Sequence, residues 1–126
     1  MPQNFSWSFS CGVPSGAGVN TGGAMDVDAV VSAKFSLVKA MAADRVLDLQ
    51  IDDVNKVAFL VLSSSLNDGS VDVKANTATR TKLTGPIILY GAAVKLFAGN
   101  LDTLTMRNAS ATDAAEIEIL MGLKFA

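Results

Sequence analysis

Residues able to do chemistry are scarce in this chain. There is no histidine among its 126 residues. That absence removes Ser-His-Asp and Cys-His nucleophilic sites, the usual zinc sites and the usual general base near neutral pH. Carboxylates remain: Asp26 and Asp28, Glu116 and Glu118, and the adjacent Asp52 and Asp53. A spacing of two puts both groups of a pair on one face of a strand, and paired carboxylates can run glycoside hydrolysis or hold calcium. Here the spaced pairs alternate with apolar residues, as a solvated strand face does, and we adopt that reading. Ser63-Ser64-Ser65 with a lysine nearby is the raw material of a Ser-Lys dyad, but no spacing selects the lysine, and a strand end accounts for the run. The stretch "GAGVNTGG" (16–23) lacks the third glycine and the Lys-Ser/Thr of a phosphate-cradling loop. Cys11 has no neighbouring cation to activate it and reads as an inert, buried thiol. Being the single cysteine, it cannot close an intrachain disulfide, which fits a reducing compartment. The sequence therefore predicts no catalytic residue, no metal site and no cofactor.

The totals exclude further classes. Half of the residues are apolar, 17% are charged, and 10 basic against 12 acidic side chains leave a net charge of −2. A chain of this length forms one domain able to bury roughly two thirds of its unfolded surface. It has no basic face to displace counterions from nucleic acid and no polybasic segment for an anionic membrane. The N-terminus lacks the positive n-region and apolar core of a secretory signal. The uncharged run Leu83–Val94 is too short and too polar to cross a bilayer. The expectation is thus no direct nucleic-acid partner and no membrane.

The elements that must position any site have a period of two. In "DVDAVVSAKFSLV" (26–38), Val27, Ala29, Val31, Ala33, Phe35 and Leu37 share one face, with Val30 the exception on the other. Alternation of this length marks a strand with one buried face. The pattern returns with Leu47, Leu49 and Ile51 against Asp48 and Gln50, and with Val71, Val73 and Ala75 against Asp72 and Lys74. It returns once more with Ile117, Ile119, Met121, Leu123 and Phe125. Two denser runs, "KVAFLVLSS" and "PIILYG", predict central strands covered on both faces. Asn67-Asp68-Gly69 reads as a hairpin turn, because Asp-Gly tolerates the positive φ of a tight type I′ turn. Asp52-Asp53, Gly85-Pro86, Gly91 and Gly99-Asn100 mark other turns. Residues 37–44 are the best helical window and are short. The fold class expected is all-β: an antiparallel β-sandwich or jelly-roll-like barrel with an extended N-terminal arm. The composition shifts near Met25, dividing an uncharged Gly/Ser-rich arm (1–25) from a sandwich domain (26–126).

Within the arm, Phe5, Trp7 and Phe9 share a face at strand spacing. Two readings stand: they belong to the core of a first strand, or they dock on another subunit. In the second, residues 10–25 are a flexible tether reaching up to roughly 50 Å, and the aromatic strand pairs with a neighbour's open sheet edge. The missing charge then has a reason, since interface cores are depleted of charge.

The runs "LDLQIDDVNKVAFLVLSSSLNDGSVDVKAN" and "TKLTGPIILYGAAVKLFAGNLDTLTMRNASATDAAEIEILMG" resemble the small β-sandwich decoration or cement proteins of tailed bacteriophages. The similarity lies in the order of features over residues 35–123: alternating strand, apolar strand, Asn-Asp-Gly turn, Leu-Thr-Gly-Pro turn, closing Ile-Glu-Ile strand. The arm is not covered. The resemblance implies a non-enzymatic virion protein made in the host cytoplasm. It also implies a homo-oligomer, a trimer in particular, lying on the capsid surface over joints between major capsid protein subunits. The alternative is a tail or surface adhesion module that binds carbohydrate, against which stand one Trp and one Tyr.

Overall fold

The computed structural model describes residues 3–49, 51, 53–75, 80–97 and 102–124. Gln50, Asp52, the Gly99-Asn100 turn and Phe125 of the sequence reading lie outside the described residues. The strands are β1 (Gln3–Gly12), β2 (Gly18–Val27), β3 (Ala29–Leu37), β4 (Arg45–Asp48), β5 (Val57–Ser64), β6 (Val71–Ala75), β7 (Thr81–Lys82), β8 (Ile87–Tyr90), β9 (Thr103–Asn108) and β10 (Ala115–Leu123). Single 3-10 turns occupy Val54–Lys56 and Gly91–Ala93, and one short helix, α1, spans Val94–Phe97.

Among the described residues, eight strands make two antiparallel four-stranded sheets, ordered β3-β10-β5-β8 and β4-β9-β6-β7, and β1 and β2 form a separate two-stranded pair. Successive strands of the sandwich alternate between the sheets except at β6-β7. Renumbered one to eight, the sheets read 1-8-3-6 and 2-7-4-5, the strand order of a jelly roll. The all-β sandwich expected from the alternating pattern is therefore the architecture found. The core lies where the inward residues of the sheets meet: Leu60, Leu62, Ile117, Ile119 and Met121 from one, Val71, Val73, Leu104 and Met106 from the other. Leu37, Ala115 and Leu123 are buried with them.

Polar groups close the ends of this core. Asn108 is completely buried; its Nδ2 donates to the Leu37 and Asp113 carbonyls at 3.3 and 2.9 Å, and its Oδ1 accepts from Ser110 N–H at 3.0 Å. That one amide ties the β9–β10 connection to the end of β3. Asp53 caps the first 3-10 turn by accepting from the Asn55 N–H at 2.9 Å.

Three expectations change. The extended arm is not what forms: residues 3–27 are a ten-pair antiparallel hairpin, in register from Gln3 with Val27 to Gly12 with Gly18. The supposed tether is its second strand, which runs through Met25 to the fully buried Val27. Asn67-Asp68-Gly69 does make a tight turn, with Gly69 at φ 89° and Asp68 accepting from the Ser70 N–H. It joins β5 of one sheet to β6 of the other, however, so it is an arch across the core and not a hairpin. "PIILYG" becomes β8, an edge strand: Ile87 and Leu89 pack on the core while Ile88 and Tyr90 are exposed. The short window 37–44, the best that the sequence offers a helix, instead ends β3 at Leu37 and continues as bends.

The outer face of the β3-β10-β5-β8 sheet carries the hairpin, and its register sorts the side chains into rows across the strands. The first row is Val30, Gly122, Phe59, Tyr90; the second is Ser32, Leu120, Val61, Ile88; the third is Lys34, Glu118, Ser63. Gly122 is there for space. A Cβ at this position would overlap the Phe59 ring lying across it. Gly122→Ala is expected to lift that ring and cost about 1–3 kcal/mol, as overpacking does, read as a lowered thermal midpoint; Leu120→Ala, one row away, leaves the ring where it is.

Candidate functional site

The hairpin is amphipathic. Directly opposed residues share a face, so Phe5, Trp7, Phe9 and Cys11 stand with Met25, Gly23, Thr21 and Val19. Asn4, Ser6, Ser8 and Ser10 stand with Asp26, Ala24, Gly22 and Asn20 on the other side. The polar face is closed at its base by Asn4 Nδ2 donating to Asp26 at 3.1 Å.

The apolar face is only partly occupied by the chain itself. The Phe5 ring stacks on Phe59 with centroids 3.6 Å apart and planes 12° from parallel. Trp7 lies against Tyr90 at 4.8 Å and 45°. Phe59 and Tyr90 are register partners on neighbouring strands, so β1 crosses the sheet from β5 towards its β8 edge. By Phe9 the ribbon has passed that edge. Phe59 is consequently 2% exposed although it points away from the main core, whereas Phe9 is 46% exposed. Every residue from 8 to 24 is exposed. The indole N–H of Trp7 is buried and, among the described residues, has no acceptor.

Between the overhanging ribbon and the second row of the sheet lies a groove of about 330 Å³, lined chiefly by Trp7, Phe9, Phe59, Val61, Ile88 and Tyr90. Apart from the tyrosine, no lining side chain ionises; Ser8 and Thr21 contribute the other hydroxyls.

The sequence triplet is thus divided: Phe5 and Trp7 are brought onto Phe59 and Tyr90 of the same chain, and Phe9 is left outside. Sequence reasoning missed Phe59, Ile88 and Tyr90 as their counterpart. The available signal is the apolar content of "AFLV" and "IILY" on both strand faces: β5 is central with Phe59 covered, as expected, whereas β8 lies at the sheet edge. Cys11 is exposed, not buried.

The remaining candidates are engaged as structure. Glu116 accepts from the Ser36 hydroxyl at 2.6 Å, and Glu118 pairs with Lys34 at 3.4 Å. Glu118 stands between Lys34 and Ser63 in its row, so the serine and lysine are not partnered. The Ser64 hydroxyl accepts from the Leu66 N–H and that of Ser65 from the Glu116 N–H, closing the strand end. Among the described residues no three metal-ligating side chains cluster. On the opposite sheet Arg80 bridges Asp44 and Asp72, and its hydrogen bond holds the Asp44 carboxyl below the usual aspartate range.

The fold and the hairpin define a jelly-roll sandwich bearing an apolar ribbon. Comparison with known proteins supplies no relative: no family model matches the chain, and neither a curated protein nor a solved structure matches it.

If the Phe5–Phe59 stack seats the ribbon, Phe5→Ala should loosen it while leaving the sandwich folded. The cost expected is about 1.5–3 kcal/mol, the burial of one such ring. Trp7, the single tryptophan, reports it directly: its emission shifts to longer wavelength as the indole becomes hydrated, and Phe5→Leu restores much of the original spectrum.

Proposed function

We propose that the protein is a non-enzymatic structural virion protein that decorates the assembled head of a tailed bacteriophage and stabilises it. The observation that carries this reading is the overhanging part of the hairpin, exposed over residues 8–24, free of charged side chains and bare on its apolar face. A surface of this kind suits contact with other protein chains, because apolar burial is the general driving force for association and interface cores are depleted of charge. The resemblance over residues 35–123 supports the same reading, and jelly rolls recur in viral capsid domains.

Stabilisation then follows from mass action. A protein that binds the assembled shell and not its separated subunits lowers the free energy of the assembled state. Modest contacts suffice when they are repeated, since linked binding events reinforce one another through effective concentration. The major capsid protein is the partner surface, and the host cytoplasm is where the chain is made before it joins the particle.

The groove's aromatic rings invite comparison with a carbohydrate platform. A sugar presents hydroxyls that need partners once buried, yet carboxylates, amides and cationic groups are absent from the lining. That chemistry favours an apolar occupant over a glycan.

The test is to mix the purified protein with heads lacking it. Co-sedimentation with the heads and a raised temperature of head disruption are the expected results, with no retention on a glycan array. A folded protein that stays in the supernatant at every concentration, or one that binds a sugar on the array with heads ignored, would sink the proposal.

A further inference from the structure

Among the described residues eight large hydrophobic side chains are exposed, and five of them, Phe9, Val13, Val19, Ile88 and Tyr90, belong to the overhanging hairpin or to the outer face of β8 beneath it. Phe9, Ile88 and Tyr90 line the groove and Val19 stands on the Phe9 face of the ribbon, so this exposed apolar surface runs from the groove onto the ribbon. A two-stranded hairpin is marginal in water on its own, so half a ribbon held out beyond its sheet with an apolar face bare is a surface that lacks its cover.

We propose that a second copy of this chain covers it, ribbon face against ribbon face, with Phe9 of each copy entering the groove beside Val61 and Ile88 of the other. This rests on the reading of the ribbon as an assembly contact and decides what it touches first.

Charge selects that occupant. A surface that meets its own copy presents every charge to an identical one, and like charges brought together cost several kcal/mol. The rest of this acidic chain is studded with charged side chains, whereas residues 3–25 carry no Asp, Glu, Lys or Arg. The one carboxylate at the hairpin base, Asp26, stands on the opposite face with Asn4. The patch is thus a face on which self-contact meets no like-charge penalty. Reciprocity follows from two-fold symmetry: the overhang of one copy fills the groove of its partner, and the partner's overhang fills the first. Each groove and each overhang lie side by side on one molecule, as such an exchange requires.

The experiment uses the full chain alone, without heads, so its failure and the failure of head binding are separate results. Sedimentation over a range of concentrations is expected to give the mass of two chains, and a trimer would contradict the reciprocal contact. The Phe9→Asp/Val19→Asp double variant should fall to the mass of one chain with its strand content intact, and Val46→Asp, exposed on the other sheet, should not. Native Cys11 gives a readout that needs no variant. It lies on the ribbon's apolar face and is exposed in the single chain, so the contact shields it. Its maleimide labelling should slow as concentration rises, by roughly tenfold where about nine-tenths of the chains are associated, because only the free form reacts. A single-chain mass at every concentration, labelling that ignores concentration, or a double variant of unchanged mass would overturn the proposal.

Discussion

The Phe59 ring is the point on which the outer architecture turns. It lies on the far side of its sheet from the core, across Gly122 and under Phe5. Beneath it a side chain would occupy the space it needs, and above it only another ring of comparable area removes it from water. With both conditions met, the jelly roll has two apolar layers: the interior between its sheets, and a thin seam between one sheet and the hairpin. The seam begins at Phe5 and Phe59, continues through Trp7 and Tyr90, and opens into the groove past the sheet edge. The rows of the outer face record this division. Apart from Ser32 on β3, the two rows at the hairpin end carry apolar or aromatic residues and Gly122, and Lys34, Glu118 and Ser63 make an ordinary hydrated row next to them.

The sandwich was largely legible in the sequence because alternation is a direct consequence of strand geometry. Ala29 to Leu37, Val71 to Ala75 and Ile117 to Leu123 read as half-buried strands, and they are. What alternation cannot specify is the partner. Asp68-Gly69 supplies the backbone of a tight turn equally well for a hairpin and for an arch, and the choice is made by whether Leu60 and Leu62 face Val71 and Val73 across the core or beside it. The apolar run of β8 was assigned to a covered position on the rule that apolar faces are buried. Ile88 and Tyr90 break that rule within the described chain.

The hairpin was the least legible part, for a physical reason. Strand β2 reads Gly-Val-Asn-Thr-Gly-Gly-Ala-Met-Asp-Val, a composition dominated by glycine and small or polar residues that reads as flexible. Order comes from its partner: β1 presents three aromatic rings, one of which, Trp7, lies across from Gly23 and takes up the space a side chain would fill there. The spacing of Phe5, Trp7 and Phe9 did reveal a shared face, and the structure divides it between the chain's own sheet and solvent. The structural roles of Glu116, Glu118 and the serine run were readable as well, because the two glutamates alternate with apolar residues and the serines end a strand.

The connectivity of the sheets sets an order of events during folding. The hairpin joins residues at most 24 apart (Gln3 with Val27, 27 − 3 = 24), whereas β3 closes on β10 through pairs as distant as Ala29 and Leu123, 94 apart (123 − 29 = 94). Local pairing is fast and distant pairing slow. On a growing chain the ribbon can therefore zip up while Phe59, Tyr90 and finally Gly122 have yet to leave the ribosome. Its uncovered aromatic side waits through most of synthesis for the seat that only the last strand completes.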